Sequence, residues 1–197
     1  TMSLPIEDRY QLQTKQGYPM FGVEIKTVDD KGNELPRDGE ASGALKVKGP
    51  WIMHTYYKAD SPAVDDEGWF DTGDVATIHP DGCMQIVDRA KDVIKTGGEW
   101  ISSIDLENAV LTHENVIEAC VVGVPHPKWD ERPLLFLITK DGNAMDKEEI
   151  NNFLLKKVVK WWLPDDIIFV EELPHGATGK LLKVELREEY KDHLMEK

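Results

Sequence analysis

The stretch Asp88-Arg-Ala-Lys-Asp-Val-Ile-Lys-Thr-Gly-Gly-Glu-Trp100 separates two blocks of different texture, and it sets three cations beside a double glycine. Such a segment suits a phosphate-handling hinge, because small residues let the backbone approach a ligand while the cations meet its charge. Upstream, Val23-Glu-Ile-Lys-Thr-Val28 and Ala44-Leu-Lys-Val-Lys48 alternate apolar and polar residues, as strands with one covered face do. Asp29-Asp-Lys-Gly32 turns the chain between them. Val75 to His79 and Met84 to Val87 flank Pro80-Asp81-Gly82, where proline fixes one dihedral and glycine tolerates positive φ. A hairpin is expected there, with Arg89 just past its close. Downstream, Ser102 or Ser103 offers an N-cap, acids fill the first turn, and Leu106, Val110 and Leu111 share a face, so a helix is expected over about 103–112. Val116 to Val124 reads as an apolar strand ended by Pro125, and Leu134 to Thr139 as a second strand. Lys147 to Val159 reads as a helix, Ile167 to Val170 as a third strand, and Leu182, Leu186 and Tyr190 mark a last helix. The second block is thus a small α+β domain.

Composition narrows the function classes. A chain of 197 residues with 41% hydrophobic content can build one domain or two small ones. The net charge of −14, with acids scattered along the chain, argues against nucleic acid or an anionic membrane surface as partner, since either needs a basic face. Cys83 and Cys120 are too few for a disulfide framework, and no Cys-x-x-Cys or His-x-x-x-His spacing offers a metal site, so a reducing cytoplasm is expected. No apolar run reaches the ~18–20 residues of a membrane helix, and Thr1-Met-Ser3 does not open an apolar leader. The histidines and serines show no triad, which leaves nucleophilic hydrolysis without support. Trp51 and Trp161-Trp162 read as packing residues.

Two further motifs frame the opening stretch: Phe70-Asp-Thr-Gly-Asp74 before it, and Pro174-His-Gly-Ala-Thr-Gly-Lys180 near the chain end. In this order the three resemble the last three signature motifs of the adenylate-forming enzymes, the superfamily of acyl-CoA synthetases, luciferases and peptide-synthetase adenylation domains. Asp88 to Ser103, followed by Asp105-Leu-Glu-Asn108, is most similar to the bacterial medium- and long-chain fatty acyl-CoA ligases. The resemblance implies an α+β fold in three parts: a β-rich, distorted barrel-like subdomain over 1–87 that belongs to a large domain, a hinge over 88–93, and a small mobile lid over 94–197. It also implies a cytoplasmic ligase that converts a fatty acid, ATP and CoA to acyl-CoA, AMP and pyrophosphate through an acyl-adenylate. Magnesium would arrive with ATP.

Forming the adenylate brings a carboxylate to a phosphate, so catalysis rests on fixed cations and positioning. Lys180 ends a loop of small residues that could carry an ammonium to such a meeting; by itself the same segment is a loop before a helix. It is no nucleotide P-loop, since the spacing fails and Leu181 follows the lysine. By resemblance Lys180 bridges the acyl carboxylate and the α-phosphate. Asp74 would accept from the ribose hydroxyls, a task an ionised carboxylate performs well, and Arg89 would contact the same sugar. Read alone, the two are an ion pair beside a turn. Lys91 falls at the pivot of the lid, Gly97 and Gly98 at the wall of the pantetheine channel, and Lys95 and Trp100 on the AMP side, with Glu131 in position to pair with Lys95. His175 and Gly176 replace the basic residue and threonine usual after the motif's proline. The superfamily's front motifs, a Ser/Thr/Gly-rich phosphate loop ending in Pro-Lys and an aromatic-Gly-x-Thr-Glu segment, do not occur in this sequence. The acyl pocket belongs with them. The expectation is a fragment of a larger ligase, inactive alone; a ligase for an aryl or short-chain acid and a non-catalytic docking module, or one half of a split ligase, are the alternatives.

Overall fold

The computed structural model describes residues 5–140 and 145–195. The chain divides into two compact units, one ending at Lys91 and the other starting at Asp92. Thr1 to Ser3 lie outside the described residues. Among those described, no helix is long and apolar enough to cross a membrane.

The first unit carries an antiparallel meander of β1 (Glu24–Val28), β2 (Gly43–Lys48), β3 (Phe70–Ile78) and β4 (Met84–Arg89). The alternation seen in the sequence buries one face: Ile25, Leu45, Ala76 and Ile78 form its core, with Val23, Val47 and Met84 against them. Among the described residues the sheet runs from β1 to β4 without β4 returning to β1. The turn after β1 is stapled by Asp29, whose carboxylate accepts from the backbone N–H groups of Lys31 and Asn33 and from the Asn33 amide. Those bonds favour the ionised form and hold Asp29 below the usual carboxylate range, the Asn33 amide contributing most. The β3–β4 turn uses Gly82 at φ +86° and Asp81 accepting from the Cys83 N–H. A helix that periodicity does not announce, α1 (Ile6–Gln13), precedes a bridge from Gly17 to Met84.

The β3–β4 ladder differs from the expected simple hairpin in one respect that matters for function. Ala76 faces Ile86 but Val75 faces Asp88, so Val87 is a bulge. A regular ladder would set Asp74 opposite Asp88, two like charges; the extra residue sets it opposite Arg89 instead. Asp88 and Arg89 therefore belong to strand β4, and the connector expected over 88–93 shortens to a turn at 90–93.

The second unit is built on β7 (Val116–His126) and β8 (Asp130–Thr139), a long antiparallel pair that β9 (Asp166–Phe169) joins in parallel. Both faces are covered. Val121, Leu135, Leu137 and Ile167 pack with Leu106 and Val110 of α2 (Ser103–Leu111) and with Ile150 and Leu154 of α3 (Lys147–Leu154). The alternate residues Cys120, Val122, Leu134 and Phe136 pack with Leu173, Leu186 of α4 (Lys183–Glu189) and Leu194. Two-sided burial is why these strands read as unbroken apolar runs. Ser102 is the N-cap of α2, accepting from the Asp105 N–H at 3.1 Å, and Ser103 is the first helical residue. Leu111, expected beside Leu106 and Val110, is exposed.

Several boundaries move: β3 begins at Phe70 rather than Val75, and β8 at Asp130 rather than Leu134. Strand β7 passes through Pro125 to His126, which an edge strand allows because one side of its backbone needs no ladder partner. Helix α3 stops at Leu154 rather than Val159, tightening through a Lys157 N–H to Leu154 carbonyl bond before the single 3-10 turn Lys160–Trp162. Val158 and Val159, β-branched and close to Pro164, favour that exit.

Phe136 is fully buried and meets Tyr190 edge-on, with centroids 4.9 Å apart. Phe136→Ala is expected to lower stability by about 3–5 kcal/mol. Urea unfolding followed by circular dichroism measures it, and a loss below about 1 kcal/mol would contradict the packing described.

Candidate functional site

The first unit presents an acid and a cation on facing strands. Asp74 and Arg89 are cross-strand neighbours, with Arg89 Nη1 3.1 Å from Asp74 Oδ1. Asp74 is largely covered, its side chain 18% exposed, whereas Arg89 is 58% exposed. The Asp74 backbone is set by its N–H donating to Thr72 Oγ1, while the Thr72 hydroxyl donates to the Leu45 carbonyl, both at 3.1 Å. Gly73 takes φ +71°, and its carbonyl accepts from the Ala90 N–H at 2.9 Å, tying the turn after β4 back to the motif. An exposed ion pair contributes at most about 1 kcal/mol, so the elaborate support makes more sense as preparation of two hydrogen-bonding groups than as stabilisation.

Lys91 closes the first unit, and its side chain is exposed. Its neighbours are each fastened: Ala90 to Gly73, as above, and Asp92 to Arg187 of α4 at 2.9 Å, within the second unit. That leaves Lys91 as the residue between two anchored ones.

Within the stretch Asp88 to Trp100 and just past it, β5 (Ile94–Thr96) and β6 (Glu99–Ile101) form a tight hairpin. Gly97 and Gly98 are its two turn residues, at φ +57° and +88°, the pairing that a two-residue hairpin with the sheet's own twist requires. A side chain at Gly97 would come within 3.2 Å of Trp129. Lys95 and Trp100 are cross-strand partners, the Lys95 ammonium lying 5.4 Å from the centre of the indole six-ring system. Glu131 does reach this hairpin: its carboxylate accepts from the Lys95 backbone N–H at 3.0 Å. Gly123 on β7 leaves room for that carboxylate, which lies 3.0 Å from where a β-carbon would stand.

Lys180 sits at the end of a second tight hairpin. The Gly176 N–H donates to the Lys180 carbonyl and the Gly179 N–H to the Gly176 carbonyl, with Gly179 at φ +76°. This is a type I turn closed by a glycine bulge, bridged below by His175 and Leu181. So Lys180 lies on a rigid turn rather than a slack loop. Among the described residues its side chain is exposed and meets no carboxylate, whereas three cations close to it in the sequence do. Lys183 bonds Glu107 at 2.8 Å and the Ser103 hydroxyl at 2.7 Å, Arg187 bonds Asp92, and His175 lies 2.7 Å from Glu118.

The Lys183–Glu107 pair is the structural element that sequence reading missed. Both side chains are 13% exposed, and Glu107 also accepts from the Val121 N–H at 2.8 Å, so α2, β7 and α4 meet at one carboxylate. The signal available was thin: an acid on the buried side of a predicted helix. Beneath it, burial and the nearby Glu107 push the Cys120 thiol up to about 12.

The AMP-binding enzyme C-terminal domain family matches residues 105–180. The ATP-bound MatB structure from Rhodopseudomonas palustris superposes with a TM-score of 0.80 at 31% identity, over 92% of this chain and 36% of that one. Together with the three motifs, these place the chain in a class: it belongs to the adenylate-forming, AMP-binding enzymes and carries their C-terminal domain. Its similarity extends to particular CoA ligases. It is 51% identical to the 3-methylmercaptopropionyl-CoA ligase of Ruegeria lacuscaerulensis, over 97% of this chain and 35% of that enzyme. It is 45% identical to the medium-chain-fatty-acid–CoA ligase of Ectopseudomonas oleovorans, over 98% of this chain and 36% of that enzyme. The chain thus spans about a third of the length of the curated relatives it matches.

With its proton held to about 12, Cys120 carries about one thiolate in ten thousand at pH 8. In the folded protein iodoacetamide should leave it unmodified from pH 7 to 10, and urea should expose it. Rapid modification of the folded chain at pH 8, read by peptide mass spectrometry, would contradict the burial.

Proposed function

We propose that this chain is part of an ATP-dependent acid–CoA ligase, in which a carboxylate attacks the α-phosphate of ATP, pyrophosphate leaves, and CoA then displaces AMP from the acyl-adenylate. Lys180 carries this reading. Among the described residues it is an exposed ammonium without a carboxylate partner, on a turn closed by its own backbone bonds, while His175, Lys183 and Arg187 are each paired with an acid, as suits a group reserved for an anionic ligand. Its charge would draw the two negative reactants together and stabilise the charge building on the phosphate.

In the same reading, the Asp74 carboxylate and the Arg89 guanidinium receive the ribose hydroxyls, one as acceptor and the other as donor. Lys95 and Trp100 face the AMP, with Glu131 holding the backbone of their hairpin. The turn Gly97-Gly98 offers the pantetheine arm a wall without side chains. Lys91, between two fastened residues, is where the backbone would turn between the half-reactions. Magnesium would enter on the ATP phosphates. The cytoplasm is the proposed compartment.

The acid proposed is a short to medium aliphatic one. A fatty acid fits the 45% identical relative, and a small thioether acid fits the 51% identical one. The test is ATP-dependent AMP release with CoA and a panel of 3-methylmercaptopropionate, butyrate, octanoate, palmitate and benzoate, using the full-length enzyme and this chain alone. Activity is expected from the full-length enzyme, with little from this chain, and Lys180→Ala should cut adenylation by about a hundredfold to a thousandfold. Full-length protein that releases no AMP with any acid, yet binds the remaining part when mixed as two fragments, would instead favour a docking module.

A further inference from the structure

His175 stands at the root of the hairpin that carries Lys180, where a basic residue facing phosphate is expected from the motif. Here the ring is engaged elsewhere. Nδ1 lies 2.8 Å from the Leu173 carbonyl oxygen and Nε2 lies 2.7 Å from Oε1 of Glu118 on β7. The ring thus sits between a backbone carbonyl and a carboxylate, each within hydrogen-bonding distance of one ring nitrogen.

Glu118 reaches that position because the ladder of β7 and β8 slips between Val116 and Glu118, with Ile117 as the extra residue and 57% exposed. The rest of the hairpin root is held by apolar packing: Leu173 and Leu181 both lie against the core cluster of Phe136 and Leu186. Beyond the root, the polar contacts of the turn over 176–180 among the described residues are its own backbone bonds, with the Leu182 N–H to Pro174 carbonyl bond beside them. The contact with Glu118 is therefore the polar tie between this turn and the sheet.

We propose that Glu118 and His175 are positioning residues that hold the turn so that Lys180 is presented in one place; the proposal rests on Lys180 being the adenylation lysine. A lysine has four rotatable bonds, and its reach is useful only if the backbone that bears it is fixed, since a shift of about 1 Å can cost a hundredfold in rate. The pair acts through the loop and touches no substrate.

The experiment measures the two half-reactions of the full-length enzyme separately: pyrophosphate exchange into ATP for adenylation, and CoA attack on supplied acyl-adenylate. The variants are Glu118→Ala, His175→Ala, their double, Glu118→Gln and Lys180→Ala. Each alanine variant of the pair should slow adenylation by about tenfold to a hundredfold and leave CoA attack unchanged. The double should be no slower than the worse single, because both remove one tie. Glu118→Gln, whose amide oxygen still accepts from Nε2, should lose less than Glu118→Ala. Loss in His175→Ala with full activity in Glu118→Ala would overturn the proposal in favour of a direct phosphate contact. Parallel loss in both half-reactions, with a falling Tm, would overturn it in favour of a merely structural pair. Normal adenylation by Lys180→Ala would instead remove the reading of the lysine itself, and the proposal with it.

Discussion

The constraint on which the second unit depends is that β7 and β8 are buried on both faces. Val121, Leu135 and Leu137 point to one helical layer while Cys120, Val122, Leu134 and Phe136 point to the other. Such a pair has no free face on which to display chemistry. Polar function must then be carried where the backbone leaves the layers, at turns and strand ends. The candidate groups follow that rule: Lys180 on one tight turn, Gly97-Gly98 forming another, and Glu131 at the start of β8. Turns are often mobile, but these are fixed by positive-φ glycines and short backbone bonds, which gives exposed groups a defined origin.

The first unit reaches a similar end by a different device. There the candidate Asp74–Arg89 pair is made by a register slip at Val87 that places Arg89, and not Asp88, opposite Asp74. Asp88 is left buried and its carboxylate accepts from the Arg89 N–H at 2.7 Å. One inserted residue thus sorts two adjacent polar side chains into a structural one and a displayed one, because side chains alternate across a strand.

What the sequence made legible follows from which signals are local. Alternation disclosed β1 and β2, the Pro80-Asp81-Gly82 turn disclosed the hairpin of β3 and β4, apolar runs disclosed β7 and β8, and the Ser102 cap with Leu106 and Val110 disclosed α2, since each depends on a few neighbouring residues. The motifs disclosed the groups themselves. The hairpin of β5 and β6 was hidden because its strands are three residues each, too short for a period to register, and Gly-Gly fits a loop as well as a two-residue turn. The end of α3 was misplaced because Leu155 to Lys157 continue an acceptable helical composition, and the weak local signal of Val158 and Val159 acts together with the packing of Val158, Trp162 and Leu163 against the core. Glu107 with Lys183 and Glu118 with His175 could not be read at all, since each joins residues far apart in the chain whose meeting the fold decides.

An acidic chain that handles anions poses an electrostatic question. The net charge is −14, yet the proposed ligands are a nucleotide, a carboxylate and a thioester-forming cofactor that bears phosphates. At physiological salt the Debye length is about 8 Å, so charges on the far surface hardly reach a ligand, and the few groups in contact decide. Here most cations near the proposed site are already committed, Arg187 to Asp92, Lys183 to Glu107 and His175 to Glu118, each held within hydrogen-bonding distance of its acid. Those pairs neutralise the surroundings without competing for the ligand. Lys180 is exposed and meets no carboxylate among the described residues, so its field on a bound phosphate is not diluted by a neighbouring acid. The acids of this chain therefore do not oppose anion binding so much as restrict it, by pairing with Arg187, Lys183 and His175 while Lys180, at the close of its turn, meets no carboxylate among the described residues.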